Sequence, residues 1–408
     1  MLMQRLPTAH LSTATAWQAP RFEALETWRG LAAIAVALYH SPFNSHLVHT
    51  RFFEHAYLFV DFFFVLSGFV MSHAYSDRLR SGREVAVFVL RRFGRLWPLH
   101  AAVLLLMVAG ELAKLVAVSR LNLVAGQMPF TGTTSVPDLV YNLLLLHSVG
   151  IVDHITWNVP SWSISVEFYT AILFALCAST LGRRTWVLAL VLCAISGGVI
   201  LANSPHQKVM DVSFDYGLPR CILGFFAGHL TYRLFQLRRM RMSSLAEIGT
   251  LIGVGLFIAF AGGDAWSVAA PVVFSAGVYV FAQQSGAVSA FLARPRFQAI
   301  GALSYSIYLL HIFTGIVIVT ILRYGERLLG GDWFERVNDG QDTRLIGNFT
   351  GGMWVMDAFN VVYVGCAVLG AMVTFRLVEQ PARRFFVSAS KRVQTGRVSV
   401  PAVLSRSV

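Results

Sequence analysis

Residues 138–151 read DLVYNLLLLHSVGI. The stretch is apolar enough for a membrane, but a helix that crosses the hydrocarbon core takes about 20 residues. Whether it crosses decides the side on which every later loop falls. Apolar runs of spanning length precede it at 28–43, 52–75 and 97–118. Others follow at 160–181, 186–202, 213–235, 245–263, 266–284, 299–322 and 353–377. The 408 residues are 56% hydrophobic and only 13% charged, against about 25% charged in soluble domains. That balance argues against a soluble enzyme, a disordered chain and a disulfide scaffold, and leaves an all-α, polytopic integral membrane protein.

The basic side chains settle the reading of 138–151. The formal net charge is +12, and in membrane proteins cationic residues gather on cytoplasmic loops. Arg78, Arg80, Arg83, Arg91, Arg92 and Arg95 form one cluster. Others are Arg183-Arg184, Arg238 to Arg241, Arg294 with Arg296, and a tail from Arg376 to Arg406. All fall on one side only if an even number of spans separates residues 96 and 183. The runs 97–118 and 160–181 supply two, so 138–151 is expected to re-enter or lie at the interface. The result is about ten transmembrane helices with both termini cytoplasmic, the protein lying in the cytoplasmic (inner) membrane. Topology thus accounts for the basic charge, and nothing points to nucleic acid.

Cys177, Cys193, Cys221 and Cys366 lie in apolar runs without metal-ligand spacing and read as packing residues. Residues 1–27 lack the apolar core of a cleavable signal. The expected organisation is a cytoplasmic segment 1–23, one membrane domain 24–386 and a cytoplasmic tail 387–408. The polar segment 323–352 is the longest outside loop, either a plain connector or a wall of an acceptor site.

Ionisable groups inside a bilayer are costly and point to function. In WRGLAAIAVALYH (28–40), Arg29 and His40 lie on one helix face, about 16 Å apart along the axis, with His40 a natural general base near neutral pH. DFFFVLSGFVM (61–71) carries Asp61, a candidate to orient a histidine, and Ser67-Gly68, which permits close helix approach. RRFGRLWPLH (91–100) places Arg91, Arg92 and Arg95 at helical spacing, a fork for phosphates or a membrane anchor, with Pro98 suited to the first turn of the next span. WNVPSWSISVEFY (157–169) carries Trp162, and sets Ser163 and Glu167 on one face. Arg220 is a plausible partner for that acid. LSYSIYLLHI (303–312) lines up Ser304, Tyr308 and His311 as a polar stripe.

Taken in order, these motifs and the terminal VEQPARRF (378–385) resemble the acyltransferase 3 family, the membrane-bound O-acyltransferases that include O-acetyltransferases of bacterial surface polysaccharides. The resemblance runs from about residue 24 to 386. Each motif alone is weak; their order and spacing carry the match. The resemblance implies about ten spans with cytoplasmic termini, cytoplasmic acyl-CoA (usually acetyl-CoA) as donor cosubstrate, and a carbohydrate hydroxyl as acceptor. It implies principal roles for Arg29 and His40, and functional positions at Arg91, Arg92, Arg95, Glu167, Ser304, Tyr305 and His311. Many members begin the first motif with Asp-Gly-Leu-Arg; here Glu26-Thr27-Trp28-Arg29 keeps the acid and not the Gly-Leu.

The expected chemistry is therefore O-acyl transfer. Arg91, Arg92 and Arg95 would bind the donor phosphates. His40 would act as general base or as acyl-accepting nucleophile, oriented by Glu167 or Asp61. Trp162, Ser163, Arg220, Ser304, Tyr305, Tyr308 and His311 would contact substrate, with no metal. The alternative is a transporter or flippase for a glycan or lipid-linked precursor, in which the same groups would be translocation ligands; no repeated halves support it. A Gly-x-Ser-x-Gly elbow and a phosphate-binding Gly-x4-Gly-Lys-[Ser/Thr] loop are both lacking.

Overall fold

The computed structural model describes residues 21–121, 127–204, 208–338, 343–347 and 352–396. Most of the expected N-terminal segment, the end of the tail and part of the 323–352 loop lie outside the described residues. The chain is almost entirely helical: α1 (Glu23–Tyr39), α2 (Arg51–Glu54), α3 (Phe59–Tyr75), α4 (Gly82–Leu121), α5 (Val136–Leu143), α6 (Trp162–Leu181), α7 (Thr185–Asn203), α8 (Gly217–Leu237), α9 (Ser244–Ala261), α10 (Ala270–Ala282), α11 (Ala287–Leu292), α12 (Pro295–Leu329), α13 (Met353–Thr374) and α14 (Gln380–Gln394). Strands β1 (Phe334–Asn338) and β2 (Thr343–Gly347) form an antiparallel hairpin between α12 and α13.

Seven segments among the described residues are long and apolar enough to cross a membrane: Ala56–Tyr75, Gly82–Arg120, Val159–Asn203, Ser244–Ala261, Ala265–Ala282, Pro295–Leu329 and Met353–Gln394. The segment Val159–Asn203 contains both α6 and α7, broken at Gly182, whose φ of 52° is a left-handed value that suits glycine. α1 and α8 fall outside the seven; α1 is only 17 residues long, and α8 carries Arg220, His229 and Arg233. Helix α9 shows what the outer surface faces. Ile248, Ile252, Leu256 and Phe260, each four residues apart, form an exposed apolar stripe, which water would penalise and lipid does not.

The deciding stretch forms a helix too short to cross. Its helix, α5, has eight residues, about 12 Å of rise. Asp138 and Asn142 point inward, while Val136, Val140 and Leu143 stay exposed. One local expectation is corrected. Pro98 does not begin a span: α4 continues through it for 40 residues. The arginine-rich stretch before Pro98 belongs to that same helix. At 1.5 Å per residue α4 is about twice the hydrocarbon thickness, so it extends beyond the apolar layer.

Two close helix contacts set the frame around the site. A Cβ on Gly68 of α3 would lie 1.8 Å from the Phe225 carbonyl oxygen of α8, and one on Gly228 would lie 1.9 Å from that of Val65. A Cβ on Gly30 of α1 would meet the Ile300 carbonyl of α12 at 2.7 Å, and one on Gly301 the Glu26 carbonyl at 2.3 Å. Small residues let backbones approach where lipid gives no hydrophobic drive. The second contact holds Arg29 against α12.

Candidate active site

α1, α3, α4, α6 and α12 surround a cavity of about 110 Å³. Its polar wall consists of Arg29, Ser67, Arg92, Arg95, Ser163, Glu167, Ser304, Tyr305 and Tyr308; Phe63, Phe64 and Leu66 supply much of its apolar wall. The Gly30–Gly301 contact brings Arg29 within reach of α12. Its Nε donates to Ser304 Oγ at 2.7 Å and its Nη2 to the Gly301 carbonyl at 3.0 Å. Glu167 accepts from Arg92 and from Ser67. Tyr305 donates to the Leu96 carbonyl at 2.5 Å, and Ser163 and Tyr308 share a hydrogen bond of 2.9 Å.

The cavity keeps unspent donors. Arg92 is 5% exposed, yet its Nε has no partner among the described residues. Two guanidinium groups further line the wall, Arg29 and Arg95, against the single carboxylate of Glu167. A buried cation surplus of this kind suits an anion, and guanidinium matches phosphate geometry.

His40 stands at the other end of α1. Its backbone N–H still bonds the Val36 carbonyl at 3.2 Å. Its ring Nδ1 lies 2.9 Å from the same oxygen. A carbonyl only accepts, so Nδ1 carries the proton and the neutral ring has its lone pair on Nε2. The ring packs against His311, centroids 5.1 Å apart, and His311 packs edge-on against Tyr308 at 5.9 Å. His311 is fully buried, and neither of its nitrogens has a partner among the described residues. Ser163, Tyr308, His311 and His40 thus form a file leading from the wall of the arginine cavity to the far end of α1.

Other expected residues separate from this group. Asp61 and Arg220 pair with each other in two parallel bonds, Nε to Oδ1 at 3.0 Å and Nη2 to Oδ2 at 2.8 Å. Asp61 therefore does not orient His40, and Arg220 is not the partner of Glu167. The remaining Arg220 donors reach the Val212 and Tyr57 carbonyls, and its guanidinium lies over the rings of Tyr57 and Trp162, at 5.6 and 5.3 Å. Trp162 is thus a wall for Arg220. Arg91 turns away from Arg92 and Arg95: its Nε donates to Ser390 of α14 at 2.8 Å.

Two further residues, in or beside the site, had no part in the expected chemistry. Ser67 bonds Glu167. Glu379 sits in a π-helical turn, Phe375–Glu379, and accepts from Ser306 at 2.8 Å. Arg29, Arg95 and Arg383 all act on it electrostatically. The signal lay in VEQPARRF, where Glu379 is the acid that follows the last apolar run.

The helical bundle thus holds an arginine-rich internal cavity with a histidine pair beyond it. The chain belongs to the acyltransferase 3 family, whose acyltransferase domain matches residues 22–377, and it is accordingly an O-acyltransferase. It is 25% identical over 347 residues to the acyltransferase MdmB of Streptomyces mycarofaciens, covering 76% of this chain and 82% of that protein. It is 40% identical over 94 residues to protein 2 in the picA locus of Rhizobium radiobacter, covering 22% of this chain and 45% of that protein's length. No solved structure matches.

Proposed function

We propose that the protein moves an acyl group, acetyl by family habit, from cytoplasmic acyl-CoA to a hydroxyl of a carbohydrate acceptor, a cell-surface or exported glycan. In this reading ten helices (α1, α3, α4, α6, α7, α8, α9, α10, α12 and α13) cross the inner membrane, and both termini are cytoplasmic. Arg29, Arg92 and Arg95 bind the donor phosphates at the cytoplasmic end. The pantetheine arm runs beside α1, whose rise of about 16 Å from Arg29 to His40 suits its extended length, and brings the thioester towards His40.

His40 Nε2 then takes the proton of the acceptor hydroxyl. The hydroxyl oxygen attacks the thioester carbonyl, the C–S bond breaks, and the proton passes to the departing CoA thiolate. The same lone pair suits direct attack on the thioester to give an acyl-imidazole, which the acceptor hydroxyl then resolves. Ser163, Tyr308 and His311 contact the reacting ends between cavity and His40, and Ser304 and Tyr305 hold Arg29 and the cavity wall in place. Glu167 holds Arg92 rather than the imidazole.

The observation that carries the proposal is the convergence of Arg29, Arg92 and Arg95 on one cavity whose wall continues through Tyr308 and His311 to His40. The test is mass spectrometry of surface glycans from cells with the gene, without it, and with His40→Ala. The proposal expects an added acyl mass only with the intact gene. An unchanged acyl mass in His40→Ala cells contradicts it.

A further inference from the structure

α13 gives no residue to the arginine cavity, and no motif in the sequence drew attention to it. Yet one of its faces touches both histidines' surroundings. Asp357, Asn360 and Tyr363 follow one another at three-residue spacing, so they share a face. Asn360 is 1% exposed. Its Oδ1 accepts from Ser41, the residue after His40, and its Nδ2 donates to Ser45 Oγ at 2.7 Å. One amide therefore clamps both ends of the loop that leaves His40. The Phe43 N–H closes the loop onto Ser41 Oγ at 3.2 Å, and the buried Phe43 ring stacks on Phe359 at 5.2 Å. From the other side, Gly347 of β2 donates to the Pro42 carbonyl at 2.8 Å and accepts from the Asn44 N–H at 3.2 Å. Tyr363 donates to the backbone carbonyl of His311 at 3.2 Å.

His40 needs such support because it lies just past the last residue of α1, where the helix no longer fixes the following backbone. We propose that Asn360 is a positioning residue for His40. It holds the 41–45 loop on α13, while Tyr363 on the same face holds the His311 backbone, and the two together fix the spacing of the imidazoles. This rests on the reading of His40 as the reacting group. The physical reason is that a displacement of about 1 Å at a reacting group costs up to about 100-fold in rate.

The test uses the full-length protein in detergent, with acetyl-CoA as the binding probe and diethyl pyrocarbonate as a histidine probe read by peptide mass spectrometry. Asn360→Leu keeps the branched outline of the side chain and removes both hydrogen bonds; Ser45→Ala removes one, and serves if the first variant does not fold. We expect kcat to fall about tenfold in Asn360→Leu and about threefold in Ser45→Ala, with acetyl-CoA affinity unchanged. Asn360→Asp, which still accepts from Ser41 and can accept from Ser45, is expected to recover part of the rate. The carbethoxylation rate at His40 is expected to change at least about threefold, and that at the exposed His154 to stay the same. An unchanged His40 rate in a folded variant overturns the proposal, as does an equal loss of kcat and acetyl-CoA affinity, the mark of general damage. A changed His40 rate with unchanged acyl transfer supports the positioning role and counts instead against His40 as the reacting group.

Discussion

Two buried arginine–carboxylate pairs lie within the same bundle, and they are built differently. Arg220–Asp61 is saturated. Its two fork bonds and two carbonyl acceptors engage all three guanidinium nitrogens, and the rings of Tyr57 and Trp162 lie against it. Arg92–Glu167 is open. It shares its carboxylate with Ser67, leaves Arg92 Nε without a partner among the described residues, and lies in a cavity wall beside Arg29 and Arg95. A saturated pair has nothing left to offer a ligand and serves the fold. An open pair keeps donors that a ligand can use. Charge inside a membrane domain is thus not one signal but two, separated by how completely each group is already satisfied.

The largest effect is expected at the saturated pair. Asp61→Ala or Arg220→Ala leaves an uncompensated buried charge, which costs about 3–5 kcal/mol. Each should lower the yield of folded protein and its thermal midpoint in detergent, and the Asp61→Leu/Arg220→Met double variant should be less damaged than either single one. At the open pair the effect should fall on function instead. Arg92→Ala should raise the acyl-CoA dissociation constant about 10–100-fold, the loss expected for a charge-assisted contact of about 1.5–3 kcal/mol, with the folded yield retained because Arg29 and Arg95 still face Glu167 across the cavity. If Arg92→Ala unfolds the protein while Asp61→Ala does not, the distinction between the pairs is wrong.

Gly30→Ala tests how the open pair's neighbour is placed. The added methyl meets the Ile300 carbonyl at 2.7 Å, so α1 must move off α12 and carry Arg29 with it. Overpacking of this kind costs about 1–3 kcal/mol, and donor affinity should drop with it. Gly110→Ala, where a methyl meets nothing within 4 Å, is the control.

The smallest effect concerns a third, exposed set. His154 bonds Asp153 at 2.8 Å and Asp138 at 3.1 Å, and these carboxylates hold its pKa above the ordinary 6.5. A pKa raised on folding contributes stability that is complete below the unfolded value and is lost as pH rises through the folded one. The side chain is 44% exposed, so solvent screens the gain. An NMR titration should give a midpoint above 6.5 that moves down in Asp138→Asn, with little change in overall stability.

How much of this was legible in the sequence differs by residue. That 138–151 forms no helix of spanning length was readable from its length. The joining of Arg29 and His40 by one helix followed from helical spacing. The presence of a close contact at Gly68 was readable from residue size. Pairing between helices was not, because which arginine meets which acid depends on helix order and rotation. For that reason Arg220 was matched to Glu167 when it belongs to Asp61. The i,i+4 rule grouped Arg91 with Arg95, but α14, which follows the last apolar run, takes Arg91 through Ser390. Pro98 looked like a start because proline favours first turns, yet α4 runs through it. Asn360 gave no signal, since a single amide in an apolar run is informative only once its two serine partners are beside it.

The central claim is that the cation-lined cavity supplies a donor whose acyl group is transferred at His40. It is tested most directly by incubating membranes that contain the protein with radiolabelled acetyl-CoA and counting label in the glycan fraction. His40→Ala is predicted to lower transfer by about 100-fold or more, the scale of a lost general base, while the purified variant binds acetyl-CoA as tightly as the wild type. Transfer at the wild-type rate by His40→Ala would contradict the account.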